Sequence, residues 1–244
     1  MTDRPTGAPA DSPPDDPTGD PPGVPTGRPL PDGVARAWRE LVDTARRTAS
    51  EGLVVGTSGN VSVRVGELVL VTPSGVPYDR LAPADVVAVD LEGRQLLGRA
   101  TPTSELPLHL AVYRSTDATA VVHTHAVHAT AVSTLVPELP PVHYMAADLG
   151  GPVRVAPYAL YGTEELAASM IRALRDRTAC LLANHGTVTY ADTLDRAYDR
   201  TAQLEWMCRL WLTASALPGR TPTLLTGAQL REAGDKLKGY GQRR

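Results

Sequence analysis

Lysine is almost absent from this chain: of 24 basic residues only Lys236 and Lys238 are lysines, both close to the C-terminal end. An enzyme that works through an imine needs a lysine buried in a pocket with a lowered pKa. Covalent Schiff-base chemistry is therefore a poor use of this sequence, and a metal is the better electrophile. Long apolar runs are missing too. None approaches the roughly 20 residues of a membrane span, and the N-terminus has no basic-then-apolar signal pattern. A cytoplasmic protein with no membrane partner is expected. Basic excess is lacking, with a net charge of -3 and a pI near 6.1. Nucleic acid and anionic membrane surfaces, which need a concentrated basic face, are thereby disfavoured as partners relative to small molecules. Cysteine is scarce: Cys180 and Cys208 stand in apolar surroundings with no CxxC pair, and read as reduced core residues. No internal repeat of 20–50 residues is evident.

What is present is enough for one well-packed domain, with 244 residues of which 42% are hydrophobic. Met1 to Pro31 is dominated by Pro, Gly, Asp and Thr, too polar to offset the entropy of ordering it. It reads as a disordered extension, and residues 32–244 as the domain.

That domain opens with a helix in which Val34, Trp38, Leu41, Val42 and Ala45 share one face, stopped at Gly52. VSVRV and ELVLV then form a hairpin turning at Gly66. Its ends carry two loops, Gly56-Thr57-Ser58-Gly59-Asn60 and Thr72-Pro73-Ser74-Gly75, which antiparallel pairing brings side by side. Glycine lets backbone approach an anion, and hydroxyls with main-chain N–H groups can nest a phosphate without a cation. Each loop taken alone is equally an ordinary tight turn. A second hairpin, VVAVD and QLL, turns at Glu92-Gly93.

Thr101-Pro102-Thr103-Ser104-Glu105 leads into a helix with Leu106, Leu110 and Tyr113 on its apolar face. Thr103 or Ser104 is the expected N-cap, and a helix N-terminus is also an anion site. Glu105, in the first turn, either complements the helix dipole or acts as a general acid/base.

The chemistry centres on AVVHTHAVH. Side chains alternate along a strand, so His123 and His125 emerge on one face, as two ligands of a metal such as zinc would. A third ligand is required. The buried strand Ala179 to Ala183 runs out at Asn184-His185-Gly186, where His185 is well placed to supply it. Between them lie a helix from Val127 to Leu135, a strand from Val153 to Ala156, and a helix capped by Thr163 that runs through Leu174. A long helix from Leu194 to Leu217 and a short one from Ala228 close the chain. Helices interspersed with hairpin-connected strands predict a three-layer α/β/α sandwich on a mostly antiparallel, mixed central sheet.

Taken together, GTSGNVSVR, TPSGVPYDRL, TPTSE, VVHTHAVHATAVS, PPVHYM, APYALYGT and ANHG resemble the class II aldolase/adducin family from about Ala35 to Tyr240. Within it the chain is most similar to the bacterial L-fuculose-1-phosphate aldolases. Those zinc enzymes cleave a ketose 1-phosphate to dihydroxyacetone phosphate and a small aldehyde through a metal-stabilised enediolate. The resemblance implies one zinc per subunit on His123, His125 and His185, with Glu105 as acid/base and a fourth ligand at rest. It implies a phosphate site from Thr57, Gly59, Asn60, Ser74, Gly75, Thr103 and Ser104, the Thr103-Ser104 pair standing where the family commonly has Ser-Ser. It also implies catalytic roles near the aldehyde for Tyr144 and Tyr240. The family's homotetramer has active sites between subunits, which puts Tyr144 in a neighbour's site. His109, His128 and His143 read as structural or outer-sphere, and Trp206 and Trp211 as core or subunit contact. Three other readings share this scaffold, two of them enzymes and the last non-catalytic. Pentulose-phosphate 4-epimerases carry Asp where this chain has Glu105, methylthioribulose-phosphate dehydratases share the metal and phosphate sites, and adducin-head scaffolds have lost the histidines.

Overall fold

Helix α1 (Asp32–Ser50) starts the described part of the chain; the computed structural model describes residues 32–239. The extension assigned to Met1 to Pro31, and Tyr240, lie outside those residues. Val34, Trp38, Leu41, Val42 and Ala45 of α1 are all buried, as their helical spacing predicts. They pack on β1 (Asn60–Val65), β2 (Leu68–Val71) and the middle of the sheet through Val61, Val63, Leu70, Ala120 and Val122. Burying each of the larger of these side chains contributes about 1.5–3 kcal/mol.

After β1 and β2 come β3 (Ala88–Val89), β4 (Gln95–Leu97), α2 (Leu106–Ser115), β5 (Ala120–Thr124), α3 (Val127–Ser133), β6 (Glu138–Leu139) and β7 (Val153–Ala156). Then follow α4 (Glu164–Ala173), β8 (Ala179–Leu182), β9 (Gly186–Ala191), α5 (Leu194–Ser215) and α6 (Gly227–Leu237). The nine strands form one sheet in the order β4-β3-β2-β1-β5-β9-β8-β7-β6. Every pairing is antiparallel except β7 with β8. The mixed sheet and its three layers match the sandwich expected from the sequence.

Alternation along β5 shows the layers. Val122 faces α1 and α5, while Val121 faces α2 and α4 together with Val188, Cys180 and Leu182. Helices α3 and α6 complete the α5 side around Leu181, Tyr198 and Leu204. Cys180 and Cys208 are buried and reduced, as read from the sequence.

Three local readings need correction. Neither Thr103 nor Ser104 caps α2; the cap position is Glu105 itself, whose side chain makes no capping bond. Thr103 instead accepts from the Glu105 backbone N–H at 3.3 Å, closing a turn one step earlier. The chain beyond His185 is a full strand, β9, which the sequence reading passed over. The β-branched run Thr187-Val188-Thr189 suits a pleated, fully buried surface, and β9 occupies the slot between β5 and β8. The short edge strand β6 was also missed, since two residues carry no periodicity.

Candidate functional site

The register of the sheet assembles the centre. Pairing of β1 with β5 sets Asn60 opposite His123, and pairing of β5 with β9 sets Thr124 opposite Thr187. His123 is buried in the middle of this arrangement, and its Nδ1 lies 2.8 Å from the Thr187 carbonyl oxygen. A carbonyl only accepts, so Nδ1 carries a proton, and in the neutral ring that leaves the Nε2 lone pair facing the cluster. His125 follows directly after β5, and its Nε2 is 3.0 Å from that of His123. His185 sits in the three-residue turn between β8 and β9, where Asn184 adopts a left-handed φ of 57°. The three imidazole rings stand edge to face with centroids 4.9 Å apart in each pair.

Glu105 closes the group from the α2 side, with Oε2 2.9 Å from His123 Nε2 and Oε1 3.3 Å from His185 Nε2. Oε1 is buried and, despite that proximity, accepts no hydrogen bond from the described residues. Burial alone raises the Glu105 pKa, but the imidazoles of His123 and His185 outweigh it and hold the carboxyl below the usual range. Burial, with His123 and His185 alongside, pushes His125 down to about 3, leaving it neutral at pH 7.

These residues fit a divalent cation. Four donor atoms lie within 4.8 Å of one another, and ligands 2.0–2.1 Å from a tetrahedral ion stand about 3.3 Å apart. A buried carboxylate and three converging imidazole nitrogens form a donor set that a positive ion satisfies. The sequence-derived ligand set is thus one cluster in space.

Beside it opens a cavity of about 370 Å³ lined by Thr57, Gly59, Asn60, Ser74, Gly75, Thr103, Ser104, Glu105, His125 and His185. The three loops are tied to one another. Ser74 N–H donates to the Thr101 carbonyl at 2.9 Å and Thr103 N–H to the Thr72 carbonyl at 3.1 Å. Among the described residues no Lys or Arg lines the cavity, so an anion held by them would rely on N–H groups and hydroxyls. Gly59 has φ 78°, and a Cβ there would come within 2.9 Å of the His123 carbonyl oxygen. The loop therefore needs glycine to lie against the histidine strand.

Ser58, Tyr158, Tyr161 and Asn184 also line this cavity, although the sequence reading singled out none of them. The one available signal was Asn before His-Gly, since Asn tolerates the left-handed conformation. Tyr144 is not among the lining residues. It is half-exposed, its ring 4.4 Å from that of His143, and lines a separate cavity with Met145, Lys236 and Leu237. His128 pairs with Glu205 at 2.6 Å, and Glu205 also accepts from the backbone N–H groups of His128 and Ala129. Trp211 packs on the core, whereas Trp206 is half-exposed with its ring 4.8 Å from that of His143.

An α/β sandwich with a carboxylate–trihistidine group, Glu105 and His123 buried and His125 and His185 partly so, beside a hydroxyl-rich cavity fits a class of metal-site proteins. Residues 39–212 match the Class II Aldolase and Adducin N-terminal domain, and the chain belongs to that family. It is 40% identical over 207 residues to an L-fuculose phosphate aldolase of Escherichia coli K12, covering 84% of this chain and 95% of the relative. Identity is 37% over 206 residues, 83% of this chain and 96% of the relative, to a 5-deoxy-D-ribulose 1-phosphate aldolase of Bacillus thuringiensis. A solved structure of an L-fuculose 1-phosphate aldolase superposes with a TM-score of 0.80 at 33% identity, over 86% of this chain and 98% of that one. Among the described residues no helix is long and apolar enough to cross a membrane.

Proposed function

We propose that the protein is a zinc-dependent aldolase that reversibly cleaves a ketose 1-phosphate to dihydroxyacetone phosphate and a small aldehyde. The observation that carries this reading is Glu105 held within the three-histidine cluster beside a hydroxyl-lined cavity to which none of the described Lys or Arg residues contributes. The substrates named for its relatives, L-fuculose phosphate and 5-deoxyribulose 1-phosphate, differ mainly at the end remote from the phosphate. The ketose is accordingly drawn from that group.

In this reading Thr57, Gly59, Asn60, Ser74, Gly75, Thr103 and Ser104 cradle the phosphate through hydroxyls and backbone N–H groups. His123, His125 and His185 hold one zinc per subunit, with Glu105 as a fourth ligand at rest. The bound ion supplies Lewis acidity toward the oxygens that gain negative charge as the carbon–carbon bond breaks. Glu105 exchanges the proton at the carbon that bore that bond, each such transfer typically contributing ~10²–10⁴-fold. Tyr144 and Tyr240 handle the aldehyde-side hydroxyl. The half-exposed position of Tyr144, away from its own chain's cavity, supports a homotetramer in which it serves a neighbour's site. A phosphorylated substrate does not cross bilayers, which supports a cytoplasmic location. The carboxylate is Glu105, one methylene longer than the aspartate of the family's 4-epimerases, which favours aldol cleavage over epimerisation.

The test is a panel of ketose 1-phosphates assayed for dihydroxyacetone phosphate release by the zinc-loaded protein. Cleavage of at least one deoxyketose 1-phosphate is expected. Epimerised or dehydrated products without dihydroxyacetone phosphate would instead assign one of the sister activities.

A further inference from the structure

Behind the metal cluster runs a line of buried polar groups that cleavage chemistry has not yet used. Tyr113 Oη lies 2.7 Å from Ser62 Oγ, which lies 2.6 Å from His109 Nδ1. His109 Nε2 is 2.5 Å from Asn60 Oδ1, and Asn60 Nδ2 is 3.0 Å from Glu105 Oε2. Ser62 and His109 are fully buried, and Tyr113 and Asn60 nearly so. His109 and Tyr113 are one turn apart on α2, facing a strand position whose neighbours pack against apolar residues. Leucine or valine would fill this space without desolvating four polar groups, so the line calls for a reason beyond packing.

Its direction can be read from the chemistry. Reversing the Asn60 amide would set its carbonyl oxygen against a carboxylate, two acceptors face to face. With Nδ2 toward Glu105, Oδ1 faces His109, which must then donate from Nε2 and accept at Nδ1. Ser62 donates to that nitrogen, and Tyr113 donates to Ser62. All four donors point the same way, toward Glu105, so each bond polarises the next.

The two carboxylate oxygens of Glu105 consequently differ. Oε2 accepts from Asn60 Nδ2 and faces His123 Nε2 at 2.9 Å, whereas Oε1 faces His185 Nε2 at 3.3 Å and, among the described residues, accepts no hydrogen bond. We infer that His109 and Asn60 are positioning residues: the buried line Tyr113–Ser62–His109–Asn60 pins Oε2 and leaves Oε1 as the oxygen that exchanges the substrate proton. The second N–H of the Asn60 amide stays available to the cavity it lines. This assignment rests on the proposed role of Glu105 as acid/base.

Two readouts test it. In the full-length wild-type protein, nitrogen NMR of the histidine rings is expected to show His109 neutral with the proton on Nε2. A proton on Nδ1, or on both nitrogens at pH 7, would overturn the proposal without reference to any activity. In kinetics, His109→Leu removes the donor to Asn60 while His109→Gln retains an N–H. At matched zinc content and melting temperature, His109→Leu is expected to lower kcat for proton exchange on dihydroxyacetone phosphate about 10–100-fold, on the order of the cost of leaving the buried Asn60 acceptor without its donor. KM should stay within about twofold, and His109→Gln should recover most of the loss. Wild-type kcat in a folded, zinc-loaded His109→Leu protein would contradict the assignment. Should that variant fail to fold, Tyr113→Phe, which deletes only the outermost donor, is expected to show the same kcat-selective loss at about 3–10-fold; unchanged kcat there would count against it. If the wild type itself exchanges no proton, the aldolase reading fails while the His109 tautomer still decides the hydrogen-bonded line.

Discussion

Glu105 meets several constraints at once. It is a cap residue that does not cap, a buried carboxylate with one unbonded oxygen, and the meeting point of the histidine cluster and the Asn60–His109 line. Glu105→Gln keeps the shape and removes the basicity. It is expected to retain at least most of the bound metal through the three histidines while losing about 10²–10⁴-fold in proton exchange at C3 of dihydroxyacetone phosphate. Metal analysis alongside isotope exchange checks both halves, and wild-type exchange would remove Glu105 from its role. His123, His125 and Glu105 were legible as residues because a period of two and a hydroxyl-rich approach are local patterns. The link between His109 and Asn60 was not, because the two are far apart in sequence and meet only through the packing of α2 on β1.

At the scale of elements, the β8–β9 turn does the positioning. Gly186 touches the strand it faces so closely that a Cβ would lie 2.1 Å from the Thr124 carbonyl oxygen and 3.1 Å from His125 Cδ2. Neither contact can relax cheaply, because the first atom is backbone in the central strand β5. Gly186→Ala should cost about 1–3 kcal/mol, as overpacking does, and lower the melting temperature by roughly 2–4 °C per kcal/mol. The same substitution should weaken zinc retention, since it displaces His125 and the turn bearing His185. Thermal melts with and without zinc measure both effects, and an unchanged zinc affinity would detach the turn from the metal site. His185 was legible as a strand-end histidine beside glycine, but the strand it introduces was not read. The α2 cap was misread because Thr103 and Ser104 suit a cap by composition, whereas the cap position falls on Glu105, whose side chain turns to His123 and His185 instead of capping.

For the whole molecule, pH acts through groups that fold in the neutral form. Burial pushes His109 down to about 3 from an ordinary value of 6.5, with the field of His123 adding to the shift. Between those values the unfolded chain binds a proton that the folded chain does not, so stability is full above about pH 6.5 and falls as the pH drops toward 3. The slope is at most about 1.4 kcal/mol per pH unit for one such proton. Metal binding bends the same way, because His125 and its partners must be deprotonated to ligate. Melting temperature against pH, compared with His109→Gln, is expected to show a shallower acid slope in the variant; identical slopes would mean His109 is not the titrating group. The layer order of the sandwich was legible in the sequence because hairpins and amphipathic helices carry their own periodicity. The extension at Met1 to Pro31, the reach of Tyr240 and the assembly of subunits involve residues or contacts beyond the described chain.

Cleavage by this site should depend on the metal above all else. Chelator-stripped protein, titrated with zinc while dihydroxyacetone phosphate release from a deoxyketose 1-phosphate is followed, is predicted to be inactive at zero zinc and to reach full rate at about one equivalent per chain. An undiminished rate in fully stripped, folded protein would contradict it.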